Sequence, residues 1–225
     1  MIICHSRRLI FLKGRKVGGT AVEIGLSTLC GPLDVVTPLT DADERLRRAE
    51  GGQGPCNHQS VRWPGHLRRR DVTFRNHSTA AQVRAQVPAS LWSGYLKVGI
   101  TRDPFEVAIS RYHWRRAQGA VPEDMDFGAF VAAQGKRLSA NLRIAPVVGP
   151  DRMDLHLRYA RLGEDLAGIG LDEVAAVVAR IRPKGDARPP EARCDAVYRQ
   201  FPEAARIVAE ACAAEIAAFG YPSPI

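Results

Sequence analysis

Residues 7–29 of the chain read RRLIFLKGRKVGGTAVEIGLSTL and contain the first of two informative turns. The apolar stretch 7–12 predicts a short strand, the glycine-rich stretch 13–19 a turn, and residues 20–29 a helix. The same order recurs at residues 95–116, YLKVGITRDPFEVAISRYHWRR, where a proline suits the first turn of the helix. Repeated strand–turn–helix units predict an α/β fold with a central parallel β-sheet flanked by helices.

We expect a single domain over residues 1–225. Pattern and capping residues predict a strand at 157–161 and further helices at 41–49, 79–87, 127–134, 171–181 and 202–219. Two stretches rich in Gly, Pro and Arg, residues 50–70 and 182–193, are expected to be loops. Ligands of parallel sheets bind at the carboxyl ends of the strands. The two turns are therefore expected to lie side by side if their strands are neighbours.

The net charge is +8, and it is unevenly distributed. Residues 1–120 contain 19 basic and 9 acidic side chains, so this half is expected to meet an anion such as nucleic acid, a phosphorylated ligand or an acidic polymer. With 45% apolar residues the composition is that of a globular protein, and no apolar run is long enough for a membrane span. Charges interrupt residues 1–16, which therefore do not resemble a signal peptide, and we expect a cytoplasmic protein.

The five cysteines include no CxxC pair, so a disulfide framework is not expected. The group Cys56, His58 and His66 matches no zinc spacing, and no metal site is predicted.

The first turn has the residues of a phosphate cradle. Gly18 and Gly19 allow close approach of the backbone to a ligand, and the amides that begin the next helix favour an anion. Lys16 adds a mobile positive charge and Thr20 a hydroxyl donor. The order differs from a Walker A motif, in which Lys follows the last Gly. An ordinary glycine turn with solvated basic residues would have the same composition.

The second turn places Arg102 at the end of a strand and Ser110 about two helical turns further on. A guanidinium fork and a hydroxyl can jointly hold one phosphate. The alternative is that Arg102 pairs with Asp103 and that Ser110 is an incidental helix residue.

Taken together, five segments in order resemble sulfotransferases that use 3′-phosphoadenosine-5′-phosphosulfate (PAPS), in their carbohydrate-type and bacterial branch. FLKGRKVGGT is similar to their 5′-phosphosulfate loop and YLKVGITRDPFEVAISRY to their 3′-phosphate segment. The other three segments are NHSTA at 76–80, RYARLGEDL at 158–166 and EIAAFGY at 215–221. Two residues depart from the family pattern, since Arg15 replaces a usual Pro and Ala21 a common Ser. Residues 31–70 match no segment of the family.

The resemblance implies a P-loop NTPase-like sulfotransferase fold and an enzyme that moves a sulfuryl group from PAPS to an acceptor, without a metal. Lys16 would be catalytic, because it can neutralise the leaving phosphate. The implied ligands of the 5′ end are Arg15, Lys16, Gly18, Gly19, Thr20 and Ala21. Those of the 3′-phosphate are Arg102 and Ser110, with Lys184 and Arg188 from the late basic loop.

His77 is the candidate general base, since a histidine of near-neutral pKa can accept a hydroxyl proton. A lone histidine at a helix start can equally bond the backbone in a structural role. The other candidates for the base are His58, His66, His113 and Glu23.

Two other function classes remain open. A P-loop kinase-like phosphotransferase shares a phosphate-binding turn, although the Gly-Lys-Ser/Thr order is missing. A basic nucleic-acid-binding protein would explain the charge, but only 7% of the residues are aromatic, so this partner is not expected. We expect the acceptor to be a carbohydrate or a small molecule. The residues identify neither this acceptor nor the oligomeric state.

Overall fold

The computed structural model of the protein describes residues 1–181 and 188–225. The described strands are β1 (Ile2–Cys4), β2 (Leu9–Phe11), β3 (Val35–Val36), β4 (Ser60–Val61), β5 (Arg70–Asp71), β6 (Leu96–Thr101) and β7 (Leu155–Arg158). The α-helices are α1 (Gly19–Ser27), α2 (Asp41–Ala49), α3 (Ala80–Arg84), α4 (Ala89–Gly94), α5 (Pro104–Ala117), α6 (Phe127–Gln134), α7 (Ala140–Ile144), α8 (Leu162–Ala167), α9 (Asp172–Arg180), α10 (Cys194–Gln200), α11 (Pro202–Ala211) and α12 (Ala213–Phe219). Both predicted strand–turn–helix units are present, since β2 leads into α1 and β6 into α5.

A five-stranded sheet has the order β3-β1-β2-β6-β7, and β4 and β5 form a separate hairpin. Strands β2 and β6 are parallel, with Leu9 opposite Leu96. The carboxyl ends of the two strands that carry the informative turns are therefore neighbours, as predicted. The protein is an α/β protein whose sheet is flanked by helices.

The prediction of a parallel sheet is wrong in one part, because β1 is antiparallel to both β2 and β3. Strands β1 and β2 form a hairpin whose turn lacks the Gly or Asn typical of such turns. Instead, Arg8 adopts the left-handed conformation with φ 47°, and its amide donates to the His5 carbonyl over 3.2 Å. The sheet is therefore mixed, with a parallel pair at its centre.

The described residues form two compact units. The first comprises residues 1–100 and 143–181, and the second comprises residues 101–142 and 188–225. The single sulfotransferase domain over residues 1–225 stays a prediction.

The first unit buries its sheet completely at β1 and β2. Ile10 and Leu12 pack in one apolar cluster with Val83 of α3, whereas Ile24 of α1 packs with Val177 of α9 in another. Each buried aliphatic side chain of this kind contributes roughly 1.5–3 kcal/mol. This packing anchors α1, and with it the position of the preceding turn.

The second unit is helical and has an aromatic core. Phe127 lies edge-on to Tyr198 with ring centroids 5.3 Å apart, and Tyr112 lies 5.3 Å from Phe130. The helix predicted over 202–219 is interrupted at Cys212, whose φ is −113°. The chain therefore bends there between α11 and α12.

The helices at 41–49 and 127–134 are confirmed at both ends, but α4, α8 and α10 were not predicted. Each of the three has only six or seven residues. Helices this short gain little from propensity and depend on tertiary packing. No helix of the described residues has the length and apolar character needed to cross a bilayer.

Candidate active site

The turn between β2 and α1 requires glycine at two positions. Gly18 is left-handed at φ 76° and is the N-cap of α1, and a Cβ there would lie 2.7 Å from the Tyr159 ring. A Cβ on Gly19 would lie 2.3 Å from Cγ of Lys13. Glycine is therefore needed for backbone conformation at the first position and for close packing at the second.

The start of α1 offers donors to a ligand. Within the described part of the chain, no hydrogen bond is made by the amides of Gly18, Gly19 and Thr20, or by the Thr20 hydroxyl. The Ala21 amide instead donates to the Gly18 carbonyl over 3.3 Å, and its side chain is buried. Unpaired amides at a helix N-terminus carry partial positive charge and attract anions.

Lys16 lies inside this turn in a left-handed conformation, with φ 60°. That conformation costs a residue with a Cβ roughly 1–2 kcal/mol, and such strain concentrates at functional sites. The side chain of Lys16 is half-buried, whereas that of Arg15 is exposed. The first turn thus presents two cations beside the amides.

The buried carboxylate of Glu23 anchors the turn through an ion pair with Lys13. Its Oε2 lies 2.6 Å from Nζ of Lys13, and its Oε1 accepts from the Met1 amine at 2.7 Å and from Thr37 at 3.1 Å. Nη2 of Arg47 lies 3.5 Å from the same Oε1. All of these side chains are buried, so the cluster joins α1 and α2 to the segments that flank β1, β2 and β3.

Charge in this cluster is compensated at short range. Burial alone would raise the pKa of Glu23, but the Met1 amine and the Lys13 ammonium lower it to about 2. Arg47 has a second carboxylate partner, because its Nη1 lies 2.8 Å from Glu44. Glu23 is therefore an occupied anion, which argues against its use as a general base.

His77 is tied to the same turn through the backbone of Lys13. Its Nδ1 lies 2.8 Å from the Lys13 carbonyl oxygen. Because a carbonyl can only accept, Nδ1 carries the proton and Nε2 is the basic nitrogen. Burial lowers the pKa of His77 to about 4, and the cation of Arg15 also lowers it. The ring is therefore neutral at pH 7, and its pKa lies below the near-neutral value expected of the base from the sequence.

A cleft of about 530 Å³ opens beside His77. Its lining includes Arg15, Arg75 and Asn76, and none of the described residues that line it is a carboxylate. Oδ1 of Asn76 is buried and has no hydrogen-bond partner among the described residues. The cleft thus offers a neutral base and an unused acceptor to a bound molecule, and two guanidiniums line it.

Acid should destabilise the protein partly through His77. Between the pKa of about 4 in the folded state and its ordinary value of about 6.5, only the unfolded chain binds the proton. The free energy of unfolding therefore falls as the pH drops from about 6.5 towards 4. Over the same pH interval, the free energy of unfolding of His77→Gln should fall less than that of the wild type. Urea unfolding at several pH values measures the difference.

His66→Gln is the matched control, since His66 is exposed and outside the cleft. It should retain the wild-type difference in unfolding free energy between pH 7 and pH 5. Equal slopes for His77→Gln and the wild type would contradict the assignment of a buried neutral imidazole.

In the second unit, two predicted phosphate ligands share one carboxylate. Nη2 of Arg102 lies 3.5 Å from Oε2 of Glu106, and Arg188 forms an ion pair with the same oxygen. Ser110 follows Glu106 by four residues and lies on the same face of α5. The carboxylate of Glu106 thus brings the two guanidiniums together on the helix that carries Ser110.

Three further candidates from the sequence are one lysine and two histidines. Lys184 lies outside the described residues. His58 is partly buried, and this burial lowers its pKa. His113 lies in the second unit, where burial and Arg188 lower its pKa. The roles of the four 3′-phosphate ligands stay predictions. The roles of these two histidines stay predictions as well.

Sequence reasoning missed two residues of the site, Lys13 and Asn76. Lys13 directly follows four apolar residues, 9–12, which was a signal that its own side chain would be buried and need a counter-ion. Asn76 gave no such signal, because its unpaired oxygen is visible only once the cleft is formed.

Compared with protein-family models, with curated proteins and with solved structures, the chain has no match. The geometry itself defines an α/β protein in which a glycine turn with unpaired amides lies next to a neutral histidine.

Proposed function

We propose that the protein is a PAPS-dependent sulfotransferase with a P-loop NTPase-like sulfotransferase architecture. The observation that carries the proposal is the turn before α1. There, the unpaired amides of Gly18, Gly19 and Thr20 lie beside Lys16, and the carbonyl of Lys13 holds His77. An anion site joined to a neutral base suits group transfer to a hydroxyl.

In the proposed reaction, the bond between sulfur and the phosphate oxygen of PAPS breaks while a bond from sulfur to the acceptor oxygen forms. The turn amides and Thr20 hold the 5′-phosphate, as helix N-termini hold phosphate groups in other folds. Lys16 stabilises the charge that develops on the leaving phosphate. Its left-handed backbone fixes where the side chain leaves the turn.

The acceptor hydroxyl gives its proton to Nε2 of His77. Lys13 fixes the tautomer through its carbonyl, and Glu23 fixes Lys13 through the buried ion pair. Asn76 is placed to orient a donor of the acceptor, because its Oδ1 is unused. The cations Arg15 and Arg75 in the cleft favour an acceptor with acidic groups.

For the 3′-phosphate, Arg102, Ser110 and Arg188 stay the predicted ligands. A phosphate can accept from both guanidiniums, which already meet at the carboxylate of Glu106. The kinase-like alternative uses the same turn but needs no 3′-phosphate, so nucleotide preference separates the two.

Adenosine 3′,5′-bisphosphate should raise the Tm more than AMP or ATP does. A ligand at roughly 100 times its Kd stabilises a protein by about 2.7 kcal/mol, which is about 5 to 10 °C for a chain of this size. The measurement is a thermal shift at equal ligand concentrations, followed by transfer of labelled sulfate from PAPS to glycan and small-molecule acceptors.

Arg102→Ala should reduce this preference, whereas Arg206→Ala, which removes an exposed arginine of α11, should not. Equal shifts with AMP would overturn the 3′-phosphate assignment. A larger shift with ATP, together with phosphoryl transfer, would favour the kinase-like alternative.

A further inference from the structure

Two thiols and a carboxylate meet at the far end of α1 from the glycine turn. Sγ of Cys4, Sγ of Cys30 and a carboxylate oxygen of Asp34 all lie within 4.8 Å of one another. Cys4 is in β1 and fully buried, whereas Cys30 is three residues beyond α1 and partly exposed. The proposed transfer reaction uses none of these groups.

Asp34 holds the two thiol-bearing segments together. Its Oδ1 accepts from the amide of His5 over 2.6 Å, and its Oδ2 accepts from the amide of Gly31 over 2.7 Å. These amides belong to the residues directly after Cys4 and Cys30. The proximity of the sulfurs is therefore built into the backbone and does not depend on side-chain rotamers alone.

The pKa values of the two thiols are shifted in opposite directions. The hydrogen bond from Cys30 lowers the pKa of Cys4 to about 6, although burial opposes this. The same bond, together with burial, raises the pKa of Cys30. Sγ of Cys4 lies 3.8 Å from the Leu29 carbonyl oxygen and Sγ of Cys30 3.4 Å from that of Leu26. A thiolate formed from either thiol is the nucleophile in sulfur chemistry.

We propose that Cys4 and Cys30 form a reversible disulfide when the protein meets a hydroperoxide. One sulfur of the pair attacks, as its thiolate, an oxygen of the peroxide, the O–O bond breaks, and hydroxide leaves and is protonated to water. The resulting sulfenic acid condenses with the thiol of the other cysteine. An S–S bond forms, a second water leaves, and a dithiol reductant restores both thiols.

Two features favour a disulfide over a metal site at this cluster. Both oxygens of Asp34 already accept short backbone hydrogen bonds, so the carboxylate is engaged. The nearby third thiol, Cys56, donates to the Asp34 carbonyl over 3.2 Å, and burial raises its pKa. Cys56 is thus a protonated neighbour, and the reactive partner of Cys4 is Cys30.

The bridge would enclose β2, the glycine turn and α1 in one covalent loop. A disulfide that closes a loop of this size removes conformational freedom from the unfolded chain. Oxidation should therefore stabilise the elements that carry Lys16 and the turn amides.

The test treats the full chain with a small excess of hydrogen peroxide and maps its tryptic peptides without reduction. The expected product is a cross-link between the peptides that contain Cys4 and Cys30, reversed by dithiothreitol. Its Tm should exceed that of the reduced protein by about 5 °C or more. Cys4→Ser and Cys30→Ser should abolish both effects, whereas Cys56→Ser and the buried control Cys212→Ser should retain them.

Several results would overturn the proposal. They are a cross-link through Cys56, oxidation of Cys4 to a sulfinic acid without a cross-link, or retained zinc that protects the thiols. The peptide map of the wild type decides the matter even if a cysteine variant fails to fold.

Discussion

Glu23→Ala is expected to lower the free energy of unfolding by about 3–5 kcal/mol, the range for removal of one partner of a buried ion pair. The substitution leaves the ammonium of Lys13 without its carboxylate, which lies 2.6 Å away in the wild type. It also removes one of two acceptors of the Met1 amine and a partner of Arg47. Urea unfolding at pH 7 measures the loss.

The matched control is Glu164→Ala, because Glu164 forms an exposed ion pair with Arg161. The side chain of Glu164 is 65% accessible and that of Arg161 is 52% accessible. Exposed pairs contribute at most about 1 kcal/mol, so this variant should unfold close to the wild type. A Glu23→Ala protein within about 1 kcal/mol of wild type would mean that Lys13 and Arg47 find other partners or water.

His77→Ala is expected to reduce sulfuryl transfer about 10²- to 10⁴-fold, the usual contribution of a general base. The loss should fall on kcat, because the base acts on the acceptor proton and the turn amides that would hold the nucleotide are unchanged. Initial rates with labelled PAPS, together with the thermal shift by adenosine 3′,5′-bisphosphate, measure both quantities. The nucleotide shift should persist while the rate falls.

His58→Ala serves as the control, since His58 was an alternative candidate for the base and does not line the cleft. Its transfer rate should stay within a few-fold of the wild type. Full activity in His77→Ala with a large loss in His58→Ala would reverse the assignment. Absence of transfer in the wild type would count against the proposed function itself, which keeps the two failures distinguishable.

The prediction of the turn succeeded because its determinants are local. Residues 9–12 are continuously apolar, and Gly18 must adopt a positive φ, which the sequence signals by its residue type. The capping of α3 by Thr79, with Gln82 completing the capping box, is local in the same sense. Such features can be predicted from neighbours within a few residues.

The hairpin between β1 and β2 was missed because its turn has no local signal. Arg8 takes a left-handed φ of 47° that its residue type disfavours. Burial of Ile2 and Ile3 against the rest of the first unit overrides that local preference. For the same reason the sheet is mixed, since an added antiparallel strand depends on contacts that no local pattern encodes.

By itself, the sequence determined the α/β class, the glycine turn before α1, and the residue types Lys16, Thr20 and His77 that chemistry at an anion would need. Only the tertiary structure decided the pairing of Lys13 with Glu23 and the contact of His77 with the Lys13 carbonyl. Propensity and capping act over three or four residues, whereas these contacts join residues 10 and 64 positions apart. Burial brings such residues together, and burial also makes them compensate one another's charge.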